Sequence, residues 1–210
     1  MRNCLEKGFH TSLADLVGAA VEQLPEGVHR DGLRAEILDF LRDRTAYFLR
    51  EFGITYDVVD AVLAADADDP LDALTRARAL HAIRGEEDLE RLVIGFKRAA
   101  NILKGIDTAA LPAPERVDWT TAHETERRLH EAVVRAGGEL DAARGKKDYP
   151  AMLGHLLELR GPIDAFFDDV LVMSEDPAER DRRLALLAEA RELFADVFDP
   201  ARIVIEGEGA

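Results

Sequence analysis

The chain has 210 residues, 47% apolar and 33% charged, with a formal net charge of −15, so it carries enough apolar material for a real core in one or two domains. The acidity excludes nucleic-acid binding as a property of the whole surface, since phosphate contact draws on surplus Lys and Arg; a polyanion would need one locally basic face. Cys4 is the single cysteine, no apolar run nears the roughly 20 residues of a membrane helix, and MRNCLEKGFH lacks a secretory apolar core, which together lead us to expect a cytoplasmic protein with no membrane partner.

Apolar residues recur at three-and-four spacing throughout, and strand signals are almost absent. Thr11 or Ser12 caps a first helix to about Leu24, closed by the PEG turn at Pro25 to Gly27. A longer helix runs from about Gly32 to Phe52 with Leu38, Leu41, Thr45, Phe48 and Phe52 on one face, and Gly53 ends it; Thr55 caps the next, through Val62. Asp69-Pro70 and Asp176-Pro177 each combine an oxygen cap with a proline whose φ is already helical, so both are strong helix starts. Between them the pattern predicts helices at about 70–83, 86–104, 121–143, 149–160 and 163–172, the last after a break at Gly161-Pro162. Gly137-Gly138 predicts a bend or short break, at about 1 kcal/mol per glycine relative to alanine. LPAPE makes 106–118 the linker between two packed subdomains, and residues 206–210 read as a disordered tail. The expected fold is an all-α helical bundle of about nine helices.

Catalytic constellations are missing. The six histidines show no diagnostic metal spacing, and neither a GxGxxG nor a GxxxxGK phosphate loop occurs, so no catalytic residue and no metal site is expected. His123 and His130 share a helix face with Arg127 beside it, and Asp164, Asp168 and Asp169 read better as solvated or first-turn carboxylates than as a Mg²⁺ site.

The basic residues say more. On the 86–104 helix an apolar stripe of Leu89, Leu92, Val93, Phe96, Ala100 and Leu103 is flanked by Lys97, Asn101 and Lys104, with Arg91 and Arg98 facing outward. Such a face offers cations and an amide to phosphates and base edges. The acids Glu86, Glu87, Asp88 and Glu90 crowd the same helix, and on composition alone they favour an ordinary solvated face. Arg180, Arg182 and Arg183 form a second basic cluster, and Arg42, Arg44 and Arg50 a third.

Several strings in order, FLRDRTAYFLREFGITYDVVDAVLA at 40–64, FKRAANILK at 96–104, LRGPIDAFFDDVLVMSED at 159–176 and RLALL at 183–187, resemble the glycyl-tRNA synthetase β subunit. The resemblance implies a helical anticodon-binding domain of the DALR type, with 31–105 leading into it and 119–205 as its C-terminal bundle; residues 1–30 would be the end of a truncated HD-like domain. It places glycyl-adenylate formation, with its ATP and Mg²⁺, on a separate α subunit, leaving no cofactor here, and it implies glycine tRNA, the α subunit and the rest of β as partners. Carried onto this chain, the family's motifs fall on Lys97, Arg98, Asn101 and Lys104, and on Arg160, Asp164, Asp168, Met173, Asp176 and Arg183. Arg182-Arg183-Leu184 stands where the family commonly has Asn-Arg-Leu. From these, Lys97, Arg98, Asn101, Lys104, Arg182 and Arg183 are the RNA-contact candidates, with Tyr47, Tyr149 and Trp119 as candidate stacking rings, while Phe166, Phe167 and Met173 are expected in the core. A helical protein-interaction module without RNA contact, and an HD-related hydrolase, remain alternative readings.

Overall fold

A computed structural model describes residues 2–25 and 32–205; residues 26 and 27 of the expected PEG turn and the 206–210 tail lie outside this range. Ten α-helices and four single 3₁₀ turns, with no strand, make up the regular structure among the described residues: α1 (Arg2–Lys7), α2 (Leu13–Glu22), α3 (Leu33–Glu51), α4 (Tyr56–Ala65), α5 (Pro70–Ala82), α6 (Glu87–Leu103), α7 (Glu124–Arg144), α8 (Tyr149–Leu157), α9 (Arg160–Asp169) and α10 (Pro177–Glu192).

The expected starts hold where a side-chain oxygen meets the free amides of a first turn. Ser12 accepts from Asp15 N at 3.0 Å, Asp69 from Leu71 and Asp72 N, and Asp176 from Ala178 N at 2.8 Å, the two aspartates followed by proline at the first helical position. Thr55 occupies the N-cap position of α4 without a side-chain cap bond. Gly53 takes φ +83°, which a β-carbon would strain, and ends α3. On α3 the inward face is Thr45 and Leu49, whereas Phe52 is more than one-third exposed; Arg78 stacks on its ring.

A buried arginine ties the bundle together. Arg76 on α5 is 1% exposed; its Nε donates to Asp72 at 3.0 Å, Nη1 to the carbonyls of Val62 (2.9 Å) and Val197 (3.3 Å), and Nη2 to that of Asp66 (2.6 Å). One guanidinium therefore joins the C-terminal carbonyls of α4, of which that of Val62 also accepts from Asp66 N, to a buried carbonyl 121 residues along the chain. Asp72 in turn accepts from Tyr149 Oη at 2.7 Å and pairs with Lys147 Nζ at 2.8 Å, tying α5 to the α7–α8 turn. A second staple holds the C-terminal segment: buried Asp57 accepts from Arg84 Nε at 2.7 Å and from Val204 N at 3.2 Å, while Arg84 also donates to the Val204 carbonyl and Asp199 N donates to Ala61 O.

Two features depart from the pattern reading. Helix α7 runs unbroken through Gly137-Gly138, because Leu129, Ala132, Val133, Ala136, Leu140 and Ala143 bury one face against α8, α9 and α10. That burial outweighs the propensity cost of two glycines. The 106–118 segment is not an open tether: 3₁₀ turns at Thr108–Ala110 and Pro114–Arg116 pack on α10, and a third follows at Trp119–Thr121. Trp119 Nε1 donates to Pro114 O at 3.2 Å, and its ring stacks on His130 at 4.0 Å. One apolar core runs across this segment, joining Phe96 to Phe194 at 3.9 Å between ring centroids. Helix α9 starts at Arg160, so Gly161 and Pro162 lie in its first turn, where a missing amide hydrogen costs nothing.

Replacing Arg76 with Met takes the guanidinium from the buried Asp72 carboxylate and from the Val197 carbonyl; we expect a drop of about 3–5 kcal/mol in stability, read from urea unfolding. Burial opposes ionisation of Asp57 and Asp72, but hydrogen bonds from Thr55 and Arg84 to the first, and from Lys147 and Tyr149 to the second, hold both below the ordinary 3.8. Their contribution is complete above 3.8 and is lost as pH falls through the lowered folded values, so wild type and Asp57→Asn should converge in stability as acid unfolding curves are taken below about pH 4.

Candidate functional site

Helix α6 is strongly amphipathic. Leu89, Leu92, Val93, Gly95, Phe96, Ala99 and Leu103 are buried, so Ala99 and Gly95 join the stripe. Gly95 is there for a close approach: a β-carbon on it would lie 2.8 Å from Ile163 Cγ2, and this proximity sets α9 tightly against α6. The two helices run in the same direction, with Arg160 Nη1 bonded to Asp88 at 2.6 Å near their starts and the Arg98 guanidinium 4.4 Å over the Phe167 ring near their ends.

The charges on α6 are segregated. Glu87, Asp88 and Glu90 occupy its first turn, where the helix dipole favours anions, and from Arg91 to Ile106 there is no acid. Within that stretch Arg98, Asn101 and Lys104 are exposed and Lys97 is half-buried. The exposed cations Arg98 and Lys104 therefore lie toward the C-terminal end of α6, apart from the acids of the same helix. Arg98 is held over the π-face of Phe167, which steadies the guanidinium.

Arg182 and Arg183 are placed differently. Glu126 on α7 is fully buried and receives one Nε from each of them, both at 2.7 Å; Arg183 also donates to the Leu171 carbonyl at 3.0 Å and reaches Glu179 at 3.1 Å. These bonds aim both Nε groups inward at one buried carboxylate, so the first role of the two side chains is to lock α10 to α7 and to hold the 170–176 loop. Ser174 Oγ, donating to Glu179 at 2.9 Å, completes the turn. On this loop Leu171 is 75% and Met173 51% exposed, so Met173 is a surface residue and not a core one. Phe166 and Phe167 are buried as expected. No local sequence signal marks Glu126, whose two partners lie 56 and 57 residues away.

The remaining candidates separate clearly. Arg42 and Arg50 line a cleft of about 600 Å³ shared with Asp39, Asp43, Asp60 and Arg202, so the charge there is balanced. Arg44 lies 5.1 Å from the Tyr47 ring centroid and 4.8 Å from that of Phe48. Tyr149 is buried and its hydroxyl is committed to Asp72, and Trp119 is covered on one face by His130; Tyr47 alone of the three is well exposed.

Comparison with known proteins matches the DALR anticodon binding domain to residues 92–200, just over half of the chain. The chain belongs to that family. The DALR match begins inside α6, ends in the last 3₁₀ turn and includes both the α6 face and the Glu126-bound arginines. It also crosses 106–118, in keeping with the continuous core there. Among curated proteins the chain is similar to the glycine–tRNA ligase beta subunit of Acidobacterium capsulatum (37% identical over 81% of this chain and 25% of that protein). It is similar also to those of Phenylobacterium zucineum (41%, over 80% and 25%) and Anaeromyxobacter dehalogenans (38%, over 98% and 29%). It thus spans between a quarter and three tenths of the length of these relatives.

Removing Glu126 strands the buried Arg182 and leaves Arg183 with only Leu171 O and Glu179. Glu126→Ala should cost about 3–5 kcal/mol in chemical denaturation, whereas Arg98→Ala, which removes a single exposed cation–π interaction, should stay within about 1 kcal/mol.

Proposed function

We infer that this chain is the tRNA-binding, anticodon-reading part of the β subunit of a bacterial glycine–tRNA ligase, supporting glycylation carried out on an α subunit that binds ATP and Mg²⁺. The observation that carries this reading is the DALR match over 92–200, which contains the acid-free stretch of α6. Such an enzyme works in the cytoplasm, and no described helix is long and apolar enough to cross a membrane.

In this reading Arg98, Lys104 and the half-buried Lys97 hold phosphates, and Asn101, which can donate and accept, reads a base edge beside them. Sequence-specific RNA recognition targets unpaired bases, and a rigid helix face suits a splayed loop. Leu171 and Met173 offer exposed apolar surface on the loop that follows Phe167, against which a base can lie. Arg182 and Arg183 support this surface from behind through Glu126.

A second surface favours a protein partner. Phe9, Leu16, Phe40, Tyr47 and Tyr56, all near or on α1–α4 and outside the DALR match, are each about half or more exposed. That is more aromatic surface than a solvated face carries, and it suits packing against the rest of β or the α subunit.

The test is a titration with glycine tRNA across salt concentrations. Arg98→Glu with Lys104→Glu should weaken binding at least tenfold and lower the log–log salt slope by about 1 for each phosphate no longer neutralised, with an unchanged melting temperature. Wild-type chain that binds no tRNA even at low salt would leave only the protein-interaction role.

A further inference from the structure

Outside the DALR-derived reading, one cluster on the opposite arm of α7 has the chemistry of a ligand site. Glu139 on α7 faces His155 and Glu158 at the end of α8, and one donor atom from each of the three lies within 4.8 Å of the others. His155 Nδ1 is 3.0 Å from Glu139 Oε2 and 3.9 Å from Glu158 Oε1. Both Glu139 Oε2 and His155 Nδ1 are shut off from solvent, yet neither makes a hydrogen bond. Burial of an acceptor without a donor is unfavourable, and two such atoms meeting at a short distance need a positive charge between or on them.

We propose that Glu139, His155 and Glu158 form a site for a borderline divalent cation, Zn²⁺ being the best fit. One imidazole nitrogen and two carboxylate oxygens are donors that Zn²⁺ accepts, whereas Mg²⁺ and Ca²⁺ prefer all-oxygen sets. With metal–ligand bonds of about 2.0–2.2 Å, tetrahedral donors stand roughly 3.4 Å apart, between the 3.0 and 3.9 Å that separate His155 Nδ1 from the two carboxylates. Glu158 is more than half exposed, so its carboxylate is free to swing inward, and the fourth position opens to water. Binding would displace Arg135, whose Nη2 lies 3.9 Å from Glu158 Oε2, an exposed pair that holds its partner weakly. His155 and Glu158 are three residues apart, so they rise from one face of the chain, while Glu139 arrives from a separate helix already packed on it. The metal would clip the α7–α8 hairpin.

Calorimetric titration of the 210-residue chain with ZnCl₂, in a Cys4→Ser background that removes the one thiol, tests this directly. One equivalent should bind at micromolar affinity, unaffected by millimolar Mg²⁺, and should raise the melting temperature. His155→Ala and Glu139→Gln should each weaken binding at least tenfold and abolish the thermal shift, while melting normally in chelator. No binding, or one equivalent bound equally by wild type and both variants, would overturn the site.

Discussion

Arg76 carries a permanent charge almost wholly shut off from solvent, and the bundle is arranged so that each nitrogen of its guanidinium meets an oxygen. A buried ion pair of this kind is weak as a source of net stability, because desolvation takes back most of the attraction. Its effect is on specificity. Any packing that moves α4, α5, the α7–α8 turn or the segment around Val197 strands a charge or a carbonyl, so alternative packings are penalised together. The Asp57–Arg84–Val204 staple extends the same logic to the chain's last described turn.

The Glu126 carboxylate performs the corresponding task between α7 and α10. By drawing Arg182 and Arg183 inward it fixes the start of α10 on α7 and shapes the Leu171–Met173 loop beside Phe167. The exposed face of α6 is thereby mounted between two rigid supports, the Gly95–Ile163 approach and the Arg98–Phe167 stack. A net charge of −15 is compatible with tRNA recognition only in this form: cations concentrated on one stretch of one helix, and acids gathered at its first turn or elsewhere.

Local rules made much of this legible. The caps at Ser12, Asp69 and Asp176 and the stripe on α6 follow from spacing alone, since the atoms that satisfy them lie within four residues. Long-range partners were invisible. Arg182 and Arg183 read as a surface cluster because nothing nearby in sequence reveals Glu126, and Tyr149 read as a candidate for stacking because Asp72 lies 77 residues away. Met173 read as core from a pattern that ends at α9, after which the chain leaves the helical period. Gly137-Gly138 and the proline-rich 106–118 segment show the converse, tertiary packing overriding local propensity.

The central claim is that the α6 face, set by these buried charges, reads the anticodon arm. Nucleotide-resolution footprinting of glycine tRNA bound to this chain addresses it most directly. The account predicts protection confined to the anticodon loop and its adjoining phosphates, with protection of the loop abolished by substitution at Arg98 and Asn101. Protection centred on the acceptor stem, or an anticodon-loop footprint indifferent to those substitutions, would contradict it.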